Sequence, residues 1–146
     1  MISCTEFIPA YSELFKFLHR RGGTGAVEQF WNYLSDEFLG NLSSLAQEHG
    51  LRGCWLYWNH TLKEEAADFT MELDEEANLF RIEMHKCPSK SRLLEYEHIE
   101  PYHDYCRHCD VLYRRVLEPL GFEYHADLSQ CDRAKCSLVV RKRTSQ

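Results

Sequence analysis

The chain has 146 residues, a length that suits one domain with a single hydrophobic core. Hydrophobic residues make up 44% and charged residues 27%, as in soluble globular proteins, and the formal charge of −6 argues against non-specific nucleic-acid binding. No apolar run approaches the roughly 18 residues of a membrane span, and the start M-I-S-C-T-E-F lacks the basic and apolar regions of a secretory signal. The seven cysteines then favour a reducing cytoplasm, with thiols that are free, metal-bound or catalytic.

The first fifty residues are predicted to be helical. Ser3 and Glu6 make a capping-box pattern, after which apolar residues recur at helical spacing until Gly22-Gly23 ends the helix. A second amphipathic pattern runs from residue 24 to residue 49, with a break at Gly40-Asn41. These helices either close a pocket or form the surface of a homodimer.

A third helix is predicted over residues 51–66, because apolar side chains keep helical spacing there. The aromatic content also suits a strand over residues 54–58, but the helical pattern continues beyond them. The period then changes to two. Residues 69–73 and 80–85 alternate apolar and polar side chains, which predicts a β-hairpin that Cys87-Pro88 ends.

Helix and hairpin then follow once more. A short helix is predicted over residues 89–97, and a longer amphipathic helix begins at Pro101, a residue suited to a first helical turn. Gly121 ends that helix. Alternating residues over 122–128, a turn and a return strand through residues 138–140 predict a second hairpin.

The order helix, strand, strand thus occurs twice, over residues 52–86 and 102–142, which indicates a weak internal repeat. We therefore predict an α+β fold in which a four-stranded antiparallel sheet, made of two hairpins, packs against helices. The chain is predicted to be a single domain over residues 1–146. It comprises a helical N-terminal part over 1–50 and a sheet-containing core over 51–146.

Thiols are concentrated in the second half of the chain. Five of the seven cysteines lie there, and they are Cys87, Cys106, Cys109, Cys131 and Cys136. Cys106 and Cys109 are three residues apart on the predicted helix, so they share its apolar face. Two buried cysteines that serve as small hydrophobic side chains are the structural alternative to chemistry at this position.

Three kinds of chemistry are open to these thiols. Cys87, Cys106, Cys109 and Cys131 are candidate ligands of zinc or iron, with His103 as a further ligand, although a second C-x2-C is absent. A redox pair would use C-R-H-C near a helix N-terminus, where the helix dipole lowers the pKa of a thiol. A nucleophile needs a nearby base, and His103 lies one turn before Cys106.

Four further side chains are candidates for substrate binding. Trp55 and Trp58 are either core residues or walls of a pocket for a flat or apolar ligand. Arg81 and His85 share the polar face of the first hairpin. They would form the floor of a polar cavity if a layer of helices covered that face.

Three short segments carry a resemblance to known proteins. They are F-R-I-E-M-H-K-C-P, Y-C-R-H-C-D-V-L-Y-R-R-V-L-E-P-L-G and C-D-R-A-K-C-S-L-V-V. Over roughly residues 53–142, this pattern resembles the L-2-amino-thiazoline-4-carboxylate hydrolase-like family, and a related pattern occurs in the small-molecule-binding 4-vinyl reductase domain. The resemblance implies an α+β fold with the five clustered cysteines as site positions. The turn at residues 132–135 departs from the family because it lacks a glycine.

The expected function is that of a hydrolase that acts on a small C–N- and C–S-containing ring or on an amidine or amide, through a cysteine or a cysteine-bound metal. Cys106 and Cys109 are the expected catalytic thiols, with His103 as base or ligand. The alternative is a non-catalytic module that binds or senses a small molecule or a metal. The expected partners are a small-molecule ligand and a second copy of the chain, with no nucleic acid and no membrane.

Overall fold

The computed structural model describes residues 4–65 and 67–144, which form helices and one sheet. The helices are α1 (Cys4–Phe38), α2 (Gly40–His49), α3 (Leu51–Glu64), α4 (Pro88–Leu94) and α5 (Arg107–Leu117). The strands are β1 (Asp68–Asp74), β2 (Leu79–Lys86), β3 (Phe122–Asp127) and β4 (Cys136–Lys142). The predicted α+β class is confirmed. Within the described residues, no helix combines the length and the apolarity needed to cross a membrane.

The sheet is antiparallel throughout, with the strand order β1-β2-β4-β3. The two hairpins are β1–β2 and β3–β4, as predicted, and β2 joins them by pairing with β4. In that pairing Phe80 lies opposite Val140 and Met84 lies opposite Cys136. Because side chains alternate along a strand, these four residues share the face of the sheet that the helices cover.

A first hydrophobic cluster, the sheet core, lies between this face of the sheet and helices α2, α3 and α5. Its buried residues are Leu42, Ala46, Leu51, Cys54, Trp58, Phe80, Ile82, Leu117, Phe122, Tyr124 and Val140. Close approach of α2 and α3 depends on Gly53, because a Cβ atom at that position would lie 1.9 Å from the carbonyl oxygen of Leu45.

A second hydrophobic cluster, the helical core, lies on the other side of α5 and is rich in aromatic rings. Its buried residues are Ile8, Phe15, Val27, Trp31, Leu93, Tyr102 and Tyr105. Helix α1 supplies residues from both of its halves because its backbone leaves helical geometry at Gly22 and Gly23, where Gly23 has a φ of 67°.

Polar contacts fix α1 against α5. The hydroxyl of Ser35 donates a hydrogen bond of 2.9 Å to the carbonyl oxygen of Leu112. Arg107 pairs with Glu28 at 2.7 Å, and Arg115 pairs with Asp36 at 2.9 Å. The long N-terminal helix is thereby docked on the helix that carries the C-R-H-C motif.

The predicted helix start at Pro101 is wrong, because α5 begins at Arg107. Residues 101–106 instead form turns that insert Tyr102 and Tyr105 into the helical core. The backbone N–H of Tyr102 donates to the hydroxyl of Ser12 at 2.8 Å, which holds the turn against α1. Residues 54–58 are helical, as predicted, and not extended. The predicted cap at Ser3 lies outside the described residues.

Candidate functional site

Five cysteines from distant parts of the sequence line one small cavity of about 40 Å³, here called the thiol cavity. Its thiols are those of Cys87, Cys106, Cys109, Cys131 and Cys136. Cys87 follows β2, Cys106 is the N-cap residue of α5, and Cys109 lies in the first turn of that helix. Cys131 begins a 3-10 turn, and Cys136 begins β4. The fold therefore places all five thiols around one cavity.

The turn between β3 and β4 is held against the end of β2. The backbone N–H of Cys87 donates a hydrogen bond of 2.7 Å to the carbonyl oxygen of Ala134. Ala134 has a φ of 55°, in the left-handed region that residues other than glycine rarely adopt. The sulfur of Cys87 also accepts from the backbone N–H of Lys90 at 3.5 Å and so caps α4. Cys87 therefore holds both the turn before β4 and the start of α4 beside the cavity.

A larger and mainly apolar pocket of about 250 Å³ adjoins the thiol cavity. The two share the side chains of Cys87, Ser89, His108, Cys109, Leu128 and Cys136. The rest of the pocket wall is formed by Trp58, Leu62, Ile82, Met84, Pro88, Asp110, Tyr113, Tyr124, Ala126, Ser137 and Leu138. Thiol groups thus lie at one end of an otherwise largely apolar pocket.

Cys109 and His108 form a contact pair that faces both cavities. The sulfur of Cys109 lies 3.3 Å from Nε2 of His108. The Nδ1 atom of the same ring is hydrogen-bonded to the carbonyl oxygen of Tyr105. Because a carbonyl only accepts, Nδ1 carries the proton and Nε2 is left as the acceptor for the Cys109 thiol. The fold therefore selects the tautomer that turns a lone pair toward the sulfur.

The surroundings keep this pair neutral. The aromatic rings of Tyr11 and Phe15 pack on the His108 imidazole, with centroid distances of 5.4 and 5.7 Å. Burial lowers the pKa of His108 to about 4. Burial also raises the pKa of the Cys109 thiol, and negative charge on the neighbouring cysteines and on Asp110 acts in the same direction.

The pKa values of Cys106 and Cys131 are shifted in opposite directions. A hydrogen bond from the Cys106 thiol lowers the pKa of Cys131, and the Lys90 ammonium group assists. The same hydrogen bond is the largest cause that raises the pKa of Cys106. At the remaining two thiols burial is the largest influence, and it raises the pKa of Cys136 to about 12 and that of Cys87 above its usual value.

The predicted base or ligand His103 lies away from the thiol cavity. His103 is exposed and lines a surface groove beside His19, at a ring-centroid distance of 5.5 Å. Its displacement follows from the turns that replace the predicted start of α5. Cys54 is buried in the sheet core rather than in either cavity.

The predicted substrate-binding residues are divided between three places. Trp58 lines the apolar pocket, whereas Trp55 packs against the sheet core without reaching the pocket wall. Arg81 and His85 are exposed on the sheet face opposite the helices, where His85 contacts the Thr70 hydroxyl at 2.7 Å. Strand alternation places them there, and within residues 4–65 and 67–144 the helices lie on the other face of the sheet.

His108 is the residue of this site that sequence reasoning misses. It lies inside the C-R-H-C motif and directly precedes Cys109. The motif itself was a sufficient signal for a thiol beside an imidazole. The pairing needs a specific helix rotation, however, and that rotation is set by the helical core, into which the imidazole is buried.

The arrangement of the described cysteines and histidines bears on the predicted metal. Among the described residues, no group of three or more His, Cys, Asp or Glu side chains has the geometry to hold a metal ion. The predicted ligands Cys87, Cys106, Cys109 and Cys131 share a cavity but not a coordination geometry. Binding of zinc or iron by these residues stays a prediction.

No protein-family model, curated protein or solved structure matches the chain. The similarity to the L-2-amino-thiazoline-4-carboxylate hydrolase-like family and to the 4-vinyl reductase domain stays a prediction from short motifs.

Proposed function

We propose that this protein is a thiol-dependent hydrolase that cleaves a C–N bond of a small, largely apolar substrate, with Cys109 as nucleophile and His108 as base. One observation carries the proposal: the Cys109 sulfur lies 3.3 Å from Nε2 of His108, at the end of an apolar pocket. A nucleophile, an adjacent base and a group that orients the base are the parts that covalent catalysis requires. The carbonyl oxygen of Tyr105 is the orienting group.

The neutral state of the pair defines how the first step proceeds. A separated thiolate and imidazolium would be unfavourable here, because both side chains are buried and charge is poorly solvated among buried groups. Proton transfer from the Cys109 sulfur to Nε2 of His108 therefore accompanies attack rather than preceding it. The base acts while the sulfur–carbon bond forms, as in general-base catalysis.

The chemical steps balance without a further reagent except water. The Cys109 sulfur adds to the carbonyl or amidine carbon, and its proton moves to Nε2 of His108. That proton then passes to the leaving nitrogen as the C–N bond breaks, which leaves the carbon on sulfur as a thioester or thioimidate. Water, deprotonated by Nε2, attacks this carbon and releases the product, and the thiol regains its proton.

The pocket restricts the substrate. Its volume of about 250 Å³ lies near the lower limit of common ligand sites and suits a molecule of one small ring. Apolar and aromatic side chains, among them Trp58, Ile82 and Leu138, form much of its wall. Ser89 and Ser137 supply hydroxyl groups that can bind a polar substituent.

The test uses 2-amino-thiazoline-4-carboxylate, the substrate type that the motif resemblance implies, together with a panel of small cyclic amidines and lactams. Mass spectrometry detects hydrolysis as the gain of one water. We expect Cys109→Ala to lower kcat at least about a thousandfold and His108→Gln about a hundredfold, as for loss of a nucleophile and of a general base.

The matched control is Cys54→Ala, which makes the same thiol-to-methyl change in the sheet core, away from both cavities. It should keep kcat within a few fold of the native value. Circular dichroism and thermal unfolding of all three variants exclude loss of the fold as the cause. An unchanged kcat in Cys109→Ala would contradict the proposal.

A second candidate function is binding of the same small molecules without turnover. The lowered pKa of His108, about 4, and the raised pKa of Cys109 favour it, because both oppose proton transfer. Under this alternative, compounds of the panel bind and raise the thermal unfolding midpoint of the native protein and of Cys109→Ala by the same amount. Mass spectrometry then detects no hydrolysis of any compound.

A further inference from the structure

The two edge strands of the sheet, β1 and β3, differ in how far their backbone groups are engaged. On β3 the carbonyl oxygen of Tyr124 accepts a hydrogen bond of 2.9 Å from Arg114, and the guanidinium group of that arginine also lies over the Tyr124 ring. The backbone of β1, in contrast, hydrogen-bonds only to β2 among the residues that the structure describes. A side chain of α5 thus occupies part of one edge, and the other edge is free to pair.

The backbone of β1 is suited to accept a further strand. In an antiparallel pair, alternate residues of an edge strand direct their N–H and C=O groups away from the neighbouring strand. Pairing with β2 shifts in register between Asp68 and Phe69 and is regular from Phe69 to Asp74. The strand contains neither proline nor lysine, residues that protect many edge strands from pairing. It therefore presents a row of unpaired backbone groups.

The side chains of β1 form two rows that define the chemistry of a matching strand. The acidic row is exposed on the face of the sheet opposite the helices and consists of Asp68, Glu72 and Asp74. The apolar row is half-buried against the sheet core and consists of Phe69, Met71 and Leu73. Side chains of paired strands lie beside each other on the same face. A matching strand therefore alternates basic and apolar residues.

The negative charge of the acidic row is not neutralised by the cations of β2. Arg81 lies opposite Glu72 in the register, but its guanidinium group pairs with Glu83 at 3.0 Å. Lys86 lies opposite Asp68, and these two side chains do not form an ion pair. The carboxylates of the edge strand thus remain available to an incoming cation.

A second copy of this chain does not supply the matching strand. Pairing of β1 with the β1 strand of another copy would place acidic rows together, and like charges on paired strands are destabilising. The β3 edge of another copy exposes Glu123 and Asp127, so it has the same fault. Charge complementarity instead favours a segment of a different protein.

We propose that β1 is a docking edge for an extended segment of a partner protein in which basic and apolar residues alternate. The segment adds to the sheet beside β1 through backbone hydrogen bonds. Its basic side chains lie along the acidic row, and its apolar side chains lie along the apolar row. This function is independent of the proposed hydrolysis, because β1 lines neither the thiol cavity nor the apolar pocket.

The experiment measures binding of a synthetic peptide to the full-length protein by fluorescence anisotropy. The peptide has seven residues, the length of β1, with alternating arginine and valine and blocked termini. We expect saturable binding that weakens as salt is added. Two further peptides separate the contributions. Replacement of arginine by glutamate, or methylation of the backbone N–H groups, should each weaken binding at least about tenfold, through loss of charge complementarity and of strand pairing respectively.

A pair of charge reversals locates the site. Glu72→Lys places a cation in the acidic row and should weaken binding of the arginine–valine peptide at least about fivefold. Glu123→Lys is the matched control, since it makes the same change at an exposed position of the β3 edge, and it should leave the affinity within about twofold. Circular dichroism and thermal unfolding show whether both variants keep the fold. Amide hydrogen exchange of the native protein covers a variant that does not, because bound peptide should slow exchange in β1.

Several outcomes would overturn the proposal. Absence of saturable binding would do so, as would equal affinity for the N-methylated peptide, because charge alone would then account for the interaction. Slowed exchange at residues outside β1, with β1 unchanged, would place the peptide elsewhere. A native protein that dimerises in light scattering, and whose dimer is lost in Glu72→Lys, would assign the edge to a second copy of the chain.

Discussion

The sheet core and the helical core differ in how the chain assembles them. The sheet core combines adjacent hairpins with α2 and α3, and aliphatic side chains such as Ile82 and Val140 contribute much of its buried surface. The helical core joins segments that are distant in sequence, and aromatic rings such as Phe15 and Trp31 dominate it. Helix α5 contributes to both, with Leu117 in the first and Val111 packed against the second.

This difference explains the positions of His108 and Cys109. The imidazole of His108 contacts the rings of Phe15 and Tyr105 in the helical core, whereas Cys109 beside it lines the pocket under the sheet. The imidazole is thus held by one core, and the thiol beside it faces the other. Helix α5 therefore lies beside both cavities, because His108 and Cys109 line each of them.

The largest expected effect compares one phenylalanine from each core. Phe15→Ala and Phe80→Ala each remove a fully buried ring and should each lower the free energy of unfolding by about 3–5 kcal/mol. Only Phe15→Ala removes a ring that packs on His108, so only this variant should raise the pKa of that residue from about 4 toward 6.5. Denaturant unfolding and NMR titration of the imidazole measure both quantities. An equal pKa shift in Phe80→Ala would refute the separation of the two cores.

The second prediction concerns stability against pH. The folded pKa of His108 is about 4 and its ordinary value is 6.5, so between these pH values the unfolded chain binds a proton that the folded chain does not. Stability therefore falls as the pH drops through this window, by up to about 3 kcal/mol from this group. Urea unfolding of the native protein and of His108→Gln at pH 7 and pH 4 isolates the contribution of His108 to this loss, because carboxylate titration is common to both proteins. Identical losses in the two proteins would contradict it.

A smaller effect is expected at the contact between α1 and α5. Ser35→Ala removes the hydroxyl that donates to the carbonyl oxygen of Leu112 and should cost about 1 kcal/mol of unfolding free energy. Ser44→Ala is the matched control, since that residue is exposed on α2 and alanine suits a helix. An equal loss in both variants would show that the buried hydrogen bond adds nothing to docking of α1.

The smallest effect is expected at the surface of the same contact. Asp36→Asn removes the carboxylate that pairs with Arg115 at 2.9 Å, yet both side chains are exposed. We expect a loss below about 0.5 kcal/mol that disappears at high salt. A loss as large as that of Ser35→Ala, measured by the same denaturant unfolding, would place the docking energy in the ion pair instead of the buried contact.

Much of the fold was predictable from local patterns. The alternation of Phe80, Ile82 and Met84 predicted which face of β2 is covered, and the register with β4 confirms it. The start of α5 was not predictable, because Pro101 suits a helix whereas burial of Tyr102 and Tyr105 in the helical core imposes turns. The loss of His103 from the site follows from the same packing.

The sequence by itself determined the α+β class, the faces of the strands and the set of thiols from which a site is built, because these depend on periodicity and composition within short segments. Only the tertiary structure decided which groups pair. His108, and not His103, lies beside Cys109, and Cys106 and Cys131, which are 25 residues apart, line the same cavity. These choices depend on contacts between α1, α5 and the turn before β4, which are distant in sequence and leave no periodic pattern in the chain.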